Sequence, residues 1–419
     1  MPDLGQTYAN VDKALKEVYA PAMKLQIPKI SPLYNLIEKK PKEAFAGKQF
    51  IIPLQLTFTE SVGGSNDDSS VLPTPHKITY DQAIVKVKKI YGRIGIEGLA
   101  RDASKNNKGG WIDLLTNETK GATNAYAIDV DRQLLGDGKG VLGTTAASAA
   151  SGATTVNITS AGAGFNDTNN PTRFFRKGMK IVFSATPTNV YEITGVTSTA
   201  INIYPGLAAA ITAPNTVYRS SVYHADANKL GEMMGINGIV DVINTPSTTF
   251  EGLNATTLPE WQAWVGTTGD VTSGSTVETR IQDALDTIEQ RSGGEPIDMS
   301  ICSYAVRNAL IKKMQSLRQI DTLDLKAGWK AIKYIGGAIE LPLLVHPKLP
   351  SGYIFFLAMP HLKIYELTPF SWDNSGGGII KPVANYDAYE AWFKTYMNFG
   401  TDCRNAHGKY TNLTLTDTE

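Results

Sequence analysis

Two long runs of alternating apolar and polar residues, early in the chain, constrain its fold most strongly. The first run covers residues 50–59 and the second covers residues 78–91, with a stretch rich in Gly, Ser and Asp between them. Alternation with a period of two predicts β-strands, so the pair predicts a long β-hairpin. Because a two-stranded ribbon is only marginally stable in water, its apolar face needs a cover. That cover is either the body of the same chain or another copy of it.

We expect another copy to provide that cover. Each large apolar side chain that leaves water contributes roughly 1.5 to 3 kcal/mol, so a long ribbon laid on a neighbour would strongly favour assembly. The residues that we predict to make contacts between subunits lie on both strands and near the tip of the hairpin: Phe50, Ile52, Leu54, Leu56, Phe58, Val62, Val71, Leu72, Val85 and Val87.

The composition excludes several functional classes. The 419 residues are 42% hydrophobic and carry equal numbers of acidic and basic side chains, so no whole-molecule field draws the chain to nucleic acid. Any contact with DNA should be local and weak. Cys302 and Cys403 lie far apart and form no CxxC motif, which favours a reducing compartment and offers no metal framework. Without a signal-peptide pattern or eighteen consecutive apolar residues, we expect a soluble protein that does not enter a membrane.

Composition and periodicity divide the chain into six segments. Residues 1–47 read as an arm with a short helical pattern and several prolines, and residues 48–92 as the hairpin. Residues 93–143 contain a long helix, predicted over residues 111–135, which a glycine-rich stretch ends. Residues 144–220 are rich in Ala, Thr, Ser and Gly, and their five short strands predict an inserted β-barrel-like domain. Residues 221–350 and 351–419 return to mixed α and β patterns, the first with a capping box at Ser275 and Glu278.

Sequence motifs for catalysis or cofactor binding are missing. Gly138, Gly140 and Gly143 form a GxGxxG pattern, but it follows a helix, whereas a dinucleotide-binding loop must follow a strand. There is no GxxxxGK[ST], GxSxG or HExxH motif. The five histidines are scattered without metal-ligand spacing, and we expect them at the surface or in loops. The sequence therefore predicts no enzyme, no catalytic residue, no metal site and no cofactor.

Two side-chain clusters have alternative interpretations. Six aromatic residues between Tyr386 and Phe399 could stack on nucleic-acid bases, but without interleaved arginines they favour a core or a subunit interface. The basic run Arg173, Arg176, Lys177 and Lys180 is typical of a solvated barrel surface, with nucleic-acid binding as the minor alternative.

The order of arm, hairpin, long helix and mixed α/β region resembles a known family. The helix ends in DVDRQLLGDGKGVLG, and GEMMGINGIVD and IDMSICSYAVRNAL follow further along the chain. The chain closes with YMNFGTDCRNAHGKYTNLT. Together these segments resemble the major capsid proteins of tailed double-stranded DNA bacteriophages, which have the Hong Kong 97-like fold. The resemblance covers nearly the whole chain except residues 144–220.

This resemblance implies an α+β fold and a structural role. The hairpin would be the extended loop, the long helix the spine of a peripheral domain that residues 351–419 complete, and residues 221–350 the axial domain. The protein would assemble in the host cytoplasm into hexamers and pentamers of an icosahedral virion that encloses double-stranded DNA. Its partners would be copies of itself, scaffolding and portal proteins, decoration proteins, and packaged DNA through weak non-specific contact.

The resemblance leaves alternatives open. An encapsulin-like nanocompartment shell shares the same fold but encloses cargo enzymes. An enzyme with an unrecognised site is a second alternative, and a β-rich adhesin would explain residues 144–220 alone. Some members of the fold cross-link a lysine near the loop tip to an asparagine on a neighbour. Since residues 61–76 contain no lysine, we expect no such cross-link here.

Overall fold

The chain folds into two compact units. The first comprises residues 1–30, 93–128 and 374–392, and the second comprises residues 31–92, 129–373 and 393–419. The structure is a computed structural model, which describes residues 32–40, 49–59, 61–63, 74–104, 114–165, 167–220, 231–240, 249–254, 257–266, 277–317, 322–324, 330–336, 339–374, 379–411 and 413. Predictions for the first part of the arm, for residues 64–73 at the hairpin tip and for Ser275 lie outside these residues.

Six α-helices occur in the described part of the chain. They are α1 (Pro32–Leu36), α2 (Gly98–Ser104), α3 (Leu114–Leu135), α4 (Ile236–Ile239), α5 (Val277–Ser292) and α6 (Tyr304–Leu317). Helix α3 confirms the predicted long helix, and Gly138 and Gly140 follow it with φ of 73° and 72°, the left-handed conformation that a helix end favours. Within the described ranges, no helix is both long and apolar enough to cross a membrane.

The strands of the first half of the chain are β1 (Glu38–Lys40), β2 (Gln49–Gln55), β3 (Tyr80–Lys86), β4 (Lys88–Glu97), β5 (Val141–Thr145), β6 (Thr155–Ala161), β7 (Lys180–Phe183), β8 (Thr186–Val196), β9 (Ala200–Tyr204) and β10 (Thr216–Arg219). Those of the second half are β11 (Thr249–Phe250), β12 (Leu253–Asn254), β13 (Trp264–Gly266), β14 (Met299–Cys302), β15 (Thr322–Asp324), β16 (Lys330–Gly336), β17 (Ile339–Val345), β18 (Ile354–Leu357), β19 (Leu362–Trp372), β20 (Lys381–Pro382), β21 (Ala388–Thr401) and β22 (Gly408–Tyr410).

The first unit contains the end of β4, helix α2 and most of α3. Ile94 and Ile96 of β4 are buried and alternate with exposed neighbours, as the period of a half-buried strand requires. The Gly98 N–H donates to the Asp387 carbonyl at 2.9 Å, and Arg93 forms an ion pair with Glu390. Strand β20 pairs with the start of β21.

A seven-stranded sheet in the order β13-β22-β18-β14-β17-β16-β15 forms the centre of the second unit. Helices α5 and α6 bury Ile281, Leu285 and Leu310 in one apolar cluster with Ile354 and Phe356 of β18. Because side chains alternate across a strand, Phe355 points to the opposite face, where its ring lies 6.4 Å from that of Phe165. The sheet therefore carries two helices on one face and part of the β-barrel region on the other.

Strands β5 to β10 form a closed barrel in the order β10-β5-β6-β9-β8-β7. Closure removes the free strand edges of a small sheet, and the interior is filled by alternate side chains such as Val156 and Ile158 of β6. All five short strands predicted from the sequence are present, and β5 is an additional one. The prediction that residues 144–220 are an insertion concerns domain boundaries, and it remains a prediction.

A second sheet joins the start and the end of the chain. Its order is β1-β19-β21-β20, and β4 also pairs with β21. Strand β1 runs parallel to β19, and the adjoining helix α1 buries Leu33.

Two of the histidines lie in loops, as expected, but not at the surface. His346 and His407 are completely buried. The His346 Nδ1 accepts the backbone N–H of Lys348 at 3.2 Å, and the His407 Nδ1 accepts that of Ala358 at 3.2 Å. Each ring is therefore a satisfied core group. Cys302 and Cys403 are both free thiols.

Candidate functional site

The predicted hairpin is present, and its base packs on the chain's own second unit. Strands β2 and β3 pair antiparallel from Gln49 opposite Lys86 to Gln55 opposite Tyr80. Ile52, Ala83 and Val85 are buried. The Phe50 and Tyr365 rings lie 4.4 Å apart, so β19 covers part of the ribbon. The base of the hairpin thus has its cover within one copy.

Gly400 in β21 allows this close packing of the hairpin base. A Cβ added at Gly400 would lie 3.0 Å from the Val85 Cγ2 and 2.5 Å from the Glu251 Oε1. Both distances are shorter than or at the limit of ordinary carbon contacts, so any larger residue would push the hairpin or the Glu251 side chain away. Glycine at position 400 therefore allows β3, at the base of the hairpin, to pack closely against β21.

The described residues of the distal half of the hairpin are largely exposed to solvent. Phe58 is 81% exposed, Val62 94% and Tyr80 71%. This part is held as a ribbon by polar contacts: the Leu56 N–H donates to the Thr79 carbonyl at 2.9 Å, and the two hydroxyls of Thr57 and Thr79 lie 2.6 Å apart. We call this distal surface the bare prong and define it as Phe58, Val62, Ile78 and Tyr80, all exposed.

The ten residues predicted to contact a neighbouring subunit therefore occupy different environments. Ile52 and Val85 are buried within the chain, and Phe58 and Val62 are exposed. Phe50, Leu54, Leu56 and Val87 are half-buried, while Val71 and Leu72 lie outside the described residues. Contact with another copy remains a prediction for these residues, and among those described, Phe58 and Val62 are the two that are exposed.

A buried charge cluster lies at the end of α3, and the sequence alone did not predict it. The Arg132 Nη1 donates to the Glu232 Oε2 at 3.0 Å, and its Nη2 pairs with Oε1, so the pair is bidentate. The Arg132 Nε also donates to the Asp129 Oδ1 at 3.1 Å, and the Arg219 Nη1 lies 2.6 Å from the Asp129 Oδ2. All of Asp129, Arg132 and Glu232 are buried.

Neighbouring charges outweigh burial at Asp129 and Arg132, whereas burial dominates at Glu232 and raises its pKa against the effect of Arg132. Burial acts to raise the pKa of Asp129, but the charges of Arg132 and Arg219 together have a larger, opposite effect, and the pKa falls to about 2. Burial opposes the charge of Arg132, and Glu232 and Asp129 overcome this effect, so the pKa of Arg132 rises above its ordinary value. The i, i+3 spacing of Asp129 and Arg132 could have indicated a salt bridge, but only the fold brings Glu232, one hundred residues away, beside them.

A second polar group adjoins the first on the same helix. The His346 Nε2 lies 3.1 Å from Asp131, and the Lys348 Nζ donates to the Asp131 Oδ2 at 2.9 Å. Burial raises the pKa of Asp131, but the hydrogen bond from His346 and the charge of Lys348 bring it down to about 2. Because His346 Nδ1 already accepts a backbone N–H, its Nε2 is the nitrogen that donates to Asp131. The end of α3 is thereby fixed to the turn after β17.

Glu251 lies in the turn between β11 and β12, in contact with the base of the hairpin. Its φ is 53°, its carbonyl accepts the Ile84 N–H at 2.7 Å, and its Oε1 accepts the Thr401 N–H at 3.2 Å. The residue is half-buried, but its Oε2 is fully buried without a hydrogen bond to the described residues. Burial raises the pKa of Glu251 to about 8, against the opposing effects of the Thr401 N–H and Arg404.

The two cysteines are not activated as nucleophiles. Burial raises the pKa of the Cys302 thiol to about 12 and that of Cys403 to about 11, so both thiols stay protonated at neutral pH. In the part of the chain that the structure describes, no three His, Cys, Asp or Glu residues are grouped to hold a metal ion. The arrangement fixes elements to one another, and the bare prong is an exposed apolar surface among the described residues.

Comparison with known families gives one match. The family described as SU10 major capsid protein matches residues 93–414, well over half of the chain. No curated protein matches the chain significantly.

Solved structures with a similar fold include three kinds of particle. The cyanophage A-1(L) capsid asymmetric unit matches with a TM-score of 0.60 and 11% identity, over 98% of this chain and 100% of that chain. The capsid of a native GTA particle matches with a TM-score of 0.51 and 8% identity, over 98% and 100%. The holo-SrpI encapsulin of Synechococcus elongatus PCC 7942 matches with a TM-score of 0.50 and 8% identity, over 99% of each chain. At these identities the likeness shows a common fold, which confirms the predicted Hong Kong 97-like α+β class.

Proposed function

Because this chain belongs to the SU10 major capsid protein family and is a structural protein of a phage capsid, we propose that the bare prong of each copy binds a neighbouring copy in the shell. The observation that carries the proposal is the division of the hairpin. Its base is covered by the chain itself, whereas Phe58 and Val62 at its distal end are almost fully exposed.

The energetics support a contact between copies. An exposed Phe or Val that becomes buried contributes roughly 1.5 to 3 kcal/mol, so a few such residues supply a substantial part of a subunit contact. The polar contacts within the ribbon hold it extended before a neighbour binds, which reduces the entropy lost on binding. A surface of this kind acts in trans and needs no change in the rest of the subunit.

The contact would be head-to-tail, since the prong of one copy meets a different surface on the next. Such heterologous contacts close into rings, and rings of six and five are the units of an icosahedral head. We infer that copies of the chain form hexamers and pentamers of a head that encloses double-stranded DNA, without enzymatic turnover. Assembly would take place in the host cytoplasm and yield the capsid of the virion.

Other partners follow from the same role. A separate scaffolding protein would set the size of the shell, a portal protein would occupy one vertex, and decoration proteins could bind its surface. With a formal net charge of zero, the chain would contact packaged DNA only weakly and without sequence preference. Expressing the chain with and without a scaffolding partner, and comparing the diameters of the particles by electron microscopy, tests the first of these proposals.

The proposal for the prong is tested with the double substitution Phe58→Ser and Val62→Ser. Because both side chains are exposed, the variant should fold as the wild type does by circular dichroism, yet fail to form shells in electron micrographs. The control is Tyr204→Ser, which removes an aromatic side chain that is 70% exposed on the barrel. Normal shells from the double variant would refute the role of the prong and leave the family membership untouched.

The encapsulin-like alternative shares the fold and differs in content. The family match supports the phage capsid, whereas the likeness to an encapsulin concerns the fold alone. Particles purified from infected cells should contain double-stranded DNA if the chain forms a phage head. Particles that contain a protein cargo and no nucleic acid would favour the alternative.

A further inference from the structure

The basic run at residues 173–180 does not form the uniform solvated surface that the sequence favours. Arg173 is engaged within the fold: its Nε and Nη2 lie 3.0 and 2.6 Å from the Asp167 Oδ2, and its Nη1 donates to the Leu349 carbonyl at 3.0 Å. Lys177 and Lys180 are exposed. Arg176 is half-buried, and no hydrogen bond or salt bridge joins its side chain to another described residue.

Backbone contacts place Arg176 beside two other cations. The turn from Arg176 to Met179 leads into β7, and β7 pairs with β10 so that Ile181 lies opposite Arg219. The same end of the barrel therefore presents both Arg176 and Arg219. On the other side, the bond from Arg173 to the Leu349 carbonyl brings this loop against the turn that contains Lys348. Arg176, Arg219 and Lys348 thus converge on the buried end of α3.

The carboxylates nearby are already engaged. Arg219 is paired with Asp129, Lys348 is paired with Asp131, and Arg132 is paired bidentately with Glu232. His346 bonds to Asp131 as well, and its other ring nitrogen accepts a backbone N–H. Among the residues that the structure describes, four cations, the fourth being Arg176, therefore face three carboxylates. Within this set, the charge of Arg176 has no hydrogen-bonded carboxylate of its own.

This excess of positive charge affects the pKa values of the cations. Burial lowers the pKa of Arg176, and the neighbouring charges of Arg219 and Arg132 lower it further, while Asp129 opposes the shift. Burial also lowers the pKa of Lys348, with contributions from Arg132 and Arg176. A half-buried guanidinium without a partner loses hydration and gains nothing in return, unless an anion supplies the missing bonds.

We propose that Arg176, Arg219 and Lys348 together form a binding site for a phosphate group. A guanidinium donates two parallel hydrogen bonds to phosphate oxygens, and an ammonium adds a point charge, so this set of donors suits a tetrahedral anion. Exposed Lys180 extends the positive field outward and would draw the anion in. The group is either free inorganic phosphate or a phosphate of a DNA backbone.

The experiment compares the full chain with the variants Arg176→Gln and Lys177→Gln. Binding of inorganic phosphate is measured by calorimetry and by the rise in melting temperature, at constant ionic strength with chloride as the reference anion. Arg176→Gln should weaken phosphate binding about tenfold or more, the value of one lost charge-assisted pair. Lys177→Gln, which removes an equal charge one residue away, should leave phosphate binding nearly unchanged.

A merely structural role for Arg176 predicts a different result. Because its charge is unmatched, Arg176→Gln should be at least as stable as the wild type in chloride, whereas loss of a structural cation would lower the stability. Arg176→Lys serves as a second variant that retains charge and should retain part of the affinity. The proposal is overturned if wild-type chain responds to phosphate no more than to chloride, or if Arg176→Gln responds as the wild type does.

A second arm identifies the source of the phosphate. The same proteins are titrated with a short double-stranded DNA at several salt concentrations. If the site takes a backbone phosphate, Arg176→Gln should weaken DNA binding and reduce its salt dependence more than Lys177→Gln does. If only inorganic phosphate binding is lost, the site takes the free ion. Both results support a phosphate site, and inorganic phosphate binding by Arg176→Gln equal to that of the wild type overturns it whatever the DNA titration shows.

Discussion

At the scale of single residues, Glu251 connects three elements that the sequence separates widely. Its backbone carbonyl binds β3, its carboxyl group binds the N–H of Thr401 at the end of β21, and the residue itself forms the β11–β12 turn. The charged groups around the carboxyl are Arg404 and Asp402, and Tyr365 of β19 lies near it. A protonated carboxyl group is therefore the form that suits this site.

The raised pKa of Glu251 predicts a pH dependence of stability. Since the folded chain holds this proton up to about pH 8, and the unfolded chain releases it near the ordinary value of 4.5, stability is greatest below pH 4.5 and falls as the pH rises toward 8. The slope contributed by one such group is at most about 1.4 kcal/mol per pH unit. Glu251→Gln, measured by urea denaturation of the unassembled chain, should lack this slope and exceed the wild type in stability above pH 8.

The matched control for this prediction is Glu260→Gln, because Glu260 is exposed. Its stability should follow the wild-type curve across the same range of pH. Curves for wild type and Glu251→Gln that run parallel between pH 5 and pH 8 would show that the carboxyl group is ionised in the folded chain.

A second prediction concerns the buried pair of Arg132 and Glu232. Arg132→Met should destabilise the chain by about 3 to 5 kcal/mol, because it leaves Asp129 and Glu232 buried with one less cation. The double variant Arg132→Met with Glu232→Leu should recover part of this loss, since the uncompensated carboxylate is gone. Urea denaturation of the three proteins measures the difference. A double variant no more stable than the single one would contradict the pairing.

At the scale of elements, Phe165 is a central residue of the contact between the barrel region and the sheet. Phe165 is buried, its ring lies 5.3 Å from that of Tyr353, and its carbonyl accepts the Tyr353 hydroxyl at 2.6 Å. The Asn237 side chain donates to the Ala163 carbonyl at 2.9 Å in the same loop. The barrel is therefore part of the packing of the second unit, as well as a closed sheet of its own.

We predict that Phe165→Ala destabilises the chain by about 3 to 5 kcal/mol, the usual cost of a large cavity. Thermal and urea denaturation measure this effect. Tyr204→Ala removes an exposed aromatic ring from the same barrel, and its effect should stay within about 0.5 kcal/mol. Equal effects of the two substitutions would show that the barrel does not rest on the sheet through Phe165.

Periodicity predicted most of these elements because it records local burial. The long helix, the hairpin, α5, α6 and the short barrel strands all follow patterns of two or 3.6 residues. The buried charges of α3 are an exception, because charged side chains on a helix are normally expected in solvent. Asp129, Asp131 and Arg132 are buried because their partners, more than eighty residues away in sequence, are brought beside them by the fold. For the same reason, the sequence could not show which half of the hairpin the chain itself covers.

At the scale of the whole molecule, covalent stabilisation of the shell is not expected. Residues 61–76 contain no lysine, so the hairpin tip lacks the amine that an isopeptide bond requires. Mature particles dissolved in a denaturing gel should therefore run as a single band at 45.3 kDa. The control is the same particle preparation treated with an amine-reactive cross-linker. A ladder of multimers without the cross-linker would contradict this prediction.

The half-covered hairpin also makes each newly synthesised copy prone to aggregation before it assembles. An unassembled chain exposes large apolar side chains to water, and exposed apolar strands lead many β proteins to aggregate. Abundant synthesis of such a chain yields shells only when subunits join an assembling shell faster than they aggregate. The rate of subunit addition, rather than the stability of the finished particle, then limits the yield of shells.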